Sequence, residues 1–162
     1  MTADLTVGEQ IVLLALDEES GELREAPLRV SLACSAAAAL DEQRPPTREQ
    51  LLATREAALD AAYQGLLEKR IVREQGRRVL GAFGSAKHPV IDPPQLTALR
   101  ARLTAVREED TVLLAVLHHA GLWAVLPQSP ALTESQDRSA ELGDTIRTTI
   151  AALTAVIAST AL

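Results

Sequence analysis

Apolar positions recur at helical spacing through most of this 162-residue chain, and short polar signatures mark where the stretches begin. Thr6-Val7-Gly8-Glu9 has the form of a capping box, a hydroxyl at the cap and a carboxylate three residues on. Ile11, Val12, Leu13, Leu14 and Leu16 follow, which predicts a short helix buried on nearly every side and ended by a turn over residues 17–21. Pro27 suits the first position of a second helix, in which Leu28, Val30, Leu32 and a small-residue run over 34–39 lead to Leu40. The Ala-rich face of that helix permits close approach to a neighbour. Arg44-Pro45-Pro46 breaks the pattern. Thr47-Arg48-Glu49-Gln50 is a second capping box. Leu51, Ala58, Ala62 and Leu66, flanked by Leu52, Leu59 and Tyr63, predict a long helix through residue 68.

The period then changes. Residues 71–73 and 78–83 read as two short strands around a Gln75-Gly76 turn, a β-hairpin. Asp92-Pro93-Pro94-Gln95 starts another helix, with Leu96, Leu99, Leu103 and Val106 as its apolar stripe. Asp110 stands where it would cap a helix over 111–126, apolar almost all round and therefore central. Pro127 and Pro130 interrupt the chain. Thr133-Glu134-Ser135-Gln136 is a third capping box, leading a short polar helix that ends at Gly143. Ile146, Ile150, Leu153, Val156 and Ile157 define the last helix. The pattern predicts a mainly α fold: a compact helical bundle of about six or seven helices with one β-hairpin, forming a single domain over residues 1–162.

Composition supports helices. Hydrophobic residues make up 47%, mostly Ala and Leu, whereas aromatics are only 2%, too few for a barrel or sandwich. Cys34 is the single cysteine, so no internal disulfide can form and a reducing compartment is expected. The opening MTADLTVGE lacks the basic region of a signal peptide, and no apolar run approaches the ~18 residues that span a bilayer. The expectation is a cytoplasmic protein whose membrane contact, if any, is peripheral, on the inner face.

Charge singles out one segment. Residues 69–87 hold Lys69, Arg70, Arg73, Arg77, Arg78 and Lys87 against Glu74 alone, a local +5 in a chain of −6, so the remainder carries −11. A basic hairpin on an acidic body suits an anionic partner. Its six cations are the expected anion contacts.

Catalytic chemistry is not evident. His118 and His119 are adjacent and diverge by about 100° on a helix, and His88 lies before Pro89 in a loop, so no metal-ligand spacing results. Cys34 sits in LACSAAAA, a setting for a packed small side chain. Gly76, Gly81 and Gly84 lack the Gly-Lys-Ser/Thr of a phosphate loop. The carboxylates at 18–19 and 108–110 read as solvated turn charges. No cofactor is implied and no enzymatic activity is expected.

The hairpin resembles two known devices. One is the wing of a winged-helix DNA-binding domain, with the recognition helix at 51–68. That helix would need basic or amide side chains to read bases, yet it carries REAALDAAYQG, and the chain is acidic. The second resemblance covers most of the chain. VGEQIVLLALDEESGEL, LACSAAAALD, LLEKRIVREQGRRVLGAFGSAKHPVIDP and LLAVLHHAGLWAVLP follow, in order, segments of the Golgi phosphoprotein 3 family, and the chain resembles a short bacterial member. The resemblance implies a mostly helical, non-enzymatic protein. Eukaryotic members bind phosphatidylinositol 4-phosphate on Golgi membranes, insert an apolar hairpin and recruit glycosyltransferase tails. It implies that Val79, Leu80 and Phe83 form the membrane- or partner-contacting tip. The positions of the family's headgroup-binding Trp and Arg residues fall near Ala26, Ser35, Glu56 and Leu59, and EQRPP after Asp41 replaces a longer insertion. The expected function is therefore a non-catalytic peripheral adaptor. It would meet anionic lipid headgroups or a protein partner through residues 69–89, and could self-associate through the hairpin edge.

Overall fold

The computed structural model describes residues 4–74, 87–104, 110–122, 125 and 143–160. Six helices run through them: α1 Val7–Ala15, α2 Pro27–Asp41, α3 Arg48–Glu68, α4 Pro93–Thr104, α5 Thr111–His119 and α6 Asp144–Thr160. α2 is central and packs on α1, α3, α5 and α6. Its buried Ala33, Ala36 and Ala37 carry little bulk, which lets neighbours lie close. Leu13, Leu14, Leu32, Leu66, Leu117 and Leu153 meet in the core, each buried leucine worth about 1.5–3 kcal/mol relative to exposure.

Two of the three expected capping boxes lie among the described residues, and both are formed. Thr6 Oγ1 accepts from Glu9 N at 3.1 Å, and Glu9 Oε1 accepts from Thr6 N at 2.9 Å. Thr47 and Gln50 make the same reciprocal pair at the start of α3. Pro27 opens α2. The turn after α1 closes where predicted: the Asp17 carboxylate accepts from Ser20 N, and Asp17 N donates to Glu22 O at 2.8 Å. Hydrogen bonding from Ser20 holds the Asp17 carboxyl below its usual range.

Three expectations need correction. First, the described residues hold no strand, and the β-hairpin over 71–83 is not seen among them. Among the described residues, one edge of 71–73 pairs with the returning chain. Arg73 N donates to Pro89 O at 3.1 Å, Ile91 N and Asp92 N both donate to Ile71 O, and Val72 forms an isolated bridge with Val90. The second arm and its turn lie outside the described residues. Second, α5 ends at His119 rather than continuing to 126, because Gly121 adopts φ +75 and turns the chain. Third, Asp110 makes no side-chain cap. Its carboxylate forms an ion pair with Arg102 Nη2 at 3.1 Å instead. The polar helix expected over 133–143 lies outside the described residues, apart from Gly143 itself.

Candidate functional site

The basic segment leaves the core from the end of α3. Lys69 is the C-cap, Arg70 N donates to Leu67 O at 3.1 Å, and Ile71 N donates to Leu66 O at 3.0 Å. Those two bonds are a Schellman closure, with buried Ile71 and Leu66 in the apolar positions that accompany it. The chain returns at residues 87–92, where it packs on the α1–α2 turn as well as on 71–73. His88 N donates to Gly21 O at 2.9 Å and Val90 N to Glu18 O at 3.2 Å. Gly21 has φ +71 and lies against the backbone of His88 and Pro89, so only glycine fits. The ring of buried His88 stacks on Tyr63 of α3, centroids 4.2 Å apart and planes 24° apart. Burial pushes the Tyr63 hydroxyl up to about 12. The residues that flank 75–86 in sequence thus form one well-bonded base.

The cations at that base divide into two groups. Lys69 donates to both oxygens of Glu9, at 2.5 and 2.8 Å, and to the Asp4 carbonyl at 2.8 Å. Glu9 is only 3% exposed, and a Cβ on Gly65 would fall on its carboxylate. Lys69 is therefore engaged inside the fold, neutralised by a buried partner. Lys87 pairs with Glu22 at 3.4 Å, both exposed. Arg70 and Arg73 are exposed and make no ion pair among the described residues. Arg77, Arg78, Val79, Leu80 and Phe83 lie outside the described residues.

The positions corresponding to the headgroup site differ in environment. Ser35 is buried and donates to Leu51 O at 3.0 Å, so it fastens α2 to α3. Ala26 is exposed, Leu59 is half-buried, and the Glu56 carboxylate pairs with Arg55.

A cleft of about 270 Å³ between the N-terminal arm, α4 and the start of α5 was not foreseen. Arg102 Nη2 spans it, donating to Gln10 Oε1 at 2.6 Å and pairing with the Asp110 carboxylate. Gln10 and Arg102 are 92 residues apart, and no local spacing signals their meeting. Cys34 is buried, its thiol pushed up to about 12 by that burial. Among the described residues, no group of three His, Cys, Asp or Glu could hold a metal, and no helix is long and apolar enough to cross a membrane.

His118 and His119 meet edge to face at 4.6 Å, and His119 Nδ1 lies 3.2 Å from Thr154 Oγ1 of α6. Burial lowers both imidazole pKa values from the ordinary 6.5, and the neighbouring His119 lowers His118 further. A folded value below the unfolded one contributes stability that is complete above pH 6.5 and lost as pH falls through the folded value. Tm is expected to fall between pH 7.5 and 5, and less steeply in His118→Asn/His119→Gln. Equal slopes would remove the histidines from the acid response.

Residues 35–160 match the family model for Golgi phosphoprotein 3 (GPP34). No curated protein and no solved structure matches the chain.

Proposed function

The chain belongs to the Golgi phosphoprotein 3 family, and from that premise we propose that it is a non-catalytic adaptor that meets an anionic surface, lipid or partner protein, through the basic segment 69–89. The observation that carries this reading is the bonded base. Residues 71–73 and 89–92 hold the two ends of 75–86 together, with Arg70 and Arg73 exposed beside them. Arg77 and Arg78 would add charge, and Val79, Leu80 and Phe83 apolar contact. Each inserted apolar side chain is worth at most about 1.5–3 kcal/mol, and each cation near an anionic leaflet roughly 1 kcal/mol. The sum supports reversible, salt-sensitive association rather than permanent anchoring. Ala26, Ser35, Glu56 and Leu59 offer no cation or indole for a phosphatidylinositol 4-phosphate pocket, so the reading is one of general anionic attraction.

Vesicle flotation tests it. Binding is expected to phosphatidylglycerol or phosphatidylinositol 4-phosphate in phosphatidylcholine at low salt, with loss at high salt and none to phosphatidylcholine alone. Failure to float with any of them at low salt sinks the lipid version.

DNA binding through a wing is disfavoured by α3 itself. Its exposed residues include four carboxylates, Glu49, Glu56, Asp60 and Glu68, against one exposed cation, Arg48, and two amides, Gln50 and Gln64, a net negative surface where DNA affinity needs cations. A gel shift abolished by Arg77→Glu/Arg78→Glu would reinstate it.

A further inference from the structure

The end of α3 sends two neighbouring cations to opposite environments. Lys69 keeps a helical backbone, φ −81, and its ammonium is held by Glu9 and by the Asp4 carbonyl. Arg70 follows with φ +59, the left-handed conformation that closes a helix and that glycine ordinarily supplies. A side chain there carries a steric cost that glycine would avoid. The Schellman bonds and the buried Ile71 hold the backbone there, but the Arg70 side chain is exposed and makes no ion pair among the described residues. A strained, non-glycine position with an idle guanidinium directs attention to what the side chain does outside the fold. Its forked donors suit a phosphate group, which they can hold through two parallel bonds.

We infer that Arg70 is the base residue that contacts the phosphate of an anionic lipid headgroup, and that Lys69 is a positioning residue that fixes the presenting helix end through Glu9. The inference rests on the anionic-surface reading above and assigns roles within it. Lys69 ties the end of α3 to the cap of α1. Glu9 is in turn held by Thr6 N and hemmed in by Gly65. Arg70 N and Ile71 N close the helix immediately beyond, so movement at Lys69 reaches Arg70 within one residue.

The test uses full-length protein and vesicles of equimolar phosphatidylcholine and phosphatidylglycerol. Arg70→Gly is expected to raise Tm by about 2 °C through relief of the left-handed position. The same variant should weaken vesicle binding several-fold and flatten its salt dependence. Arg70→Lys keeps the charge but loses the fork, so it should restore only part of the binding, and full restoration would overturn the paired phosphate bonds. Glu9→Gln makes the chain more positive, yet it should weaken binding, because Lys69 loses its anchor. Gly65→Ala keeps both charges, displaces the carboxylate, and should act in the same direction. Both should speed hydrogen exchange at the amides of Ile71, Arg73 and Ile91. Wild-type affinity in Arg70→Gly, or a fall in its Tm, overturns the role of Arg70. Tighter binding by Glu9→Gln overturns that of Lys69, because a freed lysine would then be a contact. If wild-type protein fails to bind, the anionic-surface reading falls and takes the Arg70 contact with it. The exchange measurements then decide the positioning role by themselves.

Discussion

Gly21→Ala is expected to destabilise the protein by about 2–4 kcal/mol and to weaken binding by the basic segment. Gly21 holds φ +71, where an added Cβ costs about 1 kcal/mol or more from local sterics alone. That Cβ would also fall on the backbone of His88 and Pro89. Backbone cannot rotate aside as a flexible side chain can, so the returning chain must move, at a further cost of about 1–3 kcal/mol. The displacement breaks the bond from His88 N to Gly21 O and disturbs the stack of His88 on Tyr63. It thereby loosens one of the two arms that hold segment 75–86. Guanidinium denaturation measures the loss. Gly143→Ala is the control: no described residue lies near its added Cβ, and as the cap of α6 it should lose less than about 1 kcal/mol. If Gly21→Ala unfolds at the wild-type midpoint, the returning chain does not rest on the α1–α2 turn in solution.

The second large effect is expected from Lys69→Met, at about 2–4 kcal/mol. Removing one partner of a buried ion pair strands the other, a loss of about 3–5 kcal/mol when both are fully enclosed. Glu9 is 3% exposed, but the Lys69 side chain is 31% exposed, so solvent softens the penalty. Lys87→Met offers the contrast. Its pair with Glu22 is 48% and 61% exposed, and its loss should cost less than about 1 kcal/mol. Glu9→Gln added to Lys69→Met should recover part of the stability, because no stranded carboxylate remains. A double-mutant cycle by urea denaturation reads that coupling. If Lys69→Met and Lys87→Met cost the same, Glu9 is not buried as described.

Much of the fold was legible from residues alone, and the reason is locality. Thr6 and Glu9, or Thr47 and Gln50, lie three residues apart, and a helix start brings such a pair together whatever the rest of the chain does. Pro27 and the Asp17 turn act over similarly short spans. The apolar stripe of α6, with Ile150, Leu153 and Val156 buried, also follows from spacing. The misreadings came where a local signal had a distant competitor. Asp110 stands at a cap position, yet its carboxylate is taken by Arg102 from α4. Residues 71–73 have strand character, and the partner they find among the described residues is the distant 89–92.

The charged segment separates the two levels most clearly. Counting residues was enough to find a basic stretch on an acidic body. Counting could not tell that Lys69 turns inward to Glu9, 60 residues earlier, while Arg70 beside it stays exposed. Cap chemistry and periodicity are written into neighbouring residues, so helices and their starts can be read directly. Which cation is neutralised and which is left for a ligand depends on how α1 and α3 pack, and that arrangement is made by burial across the whole core.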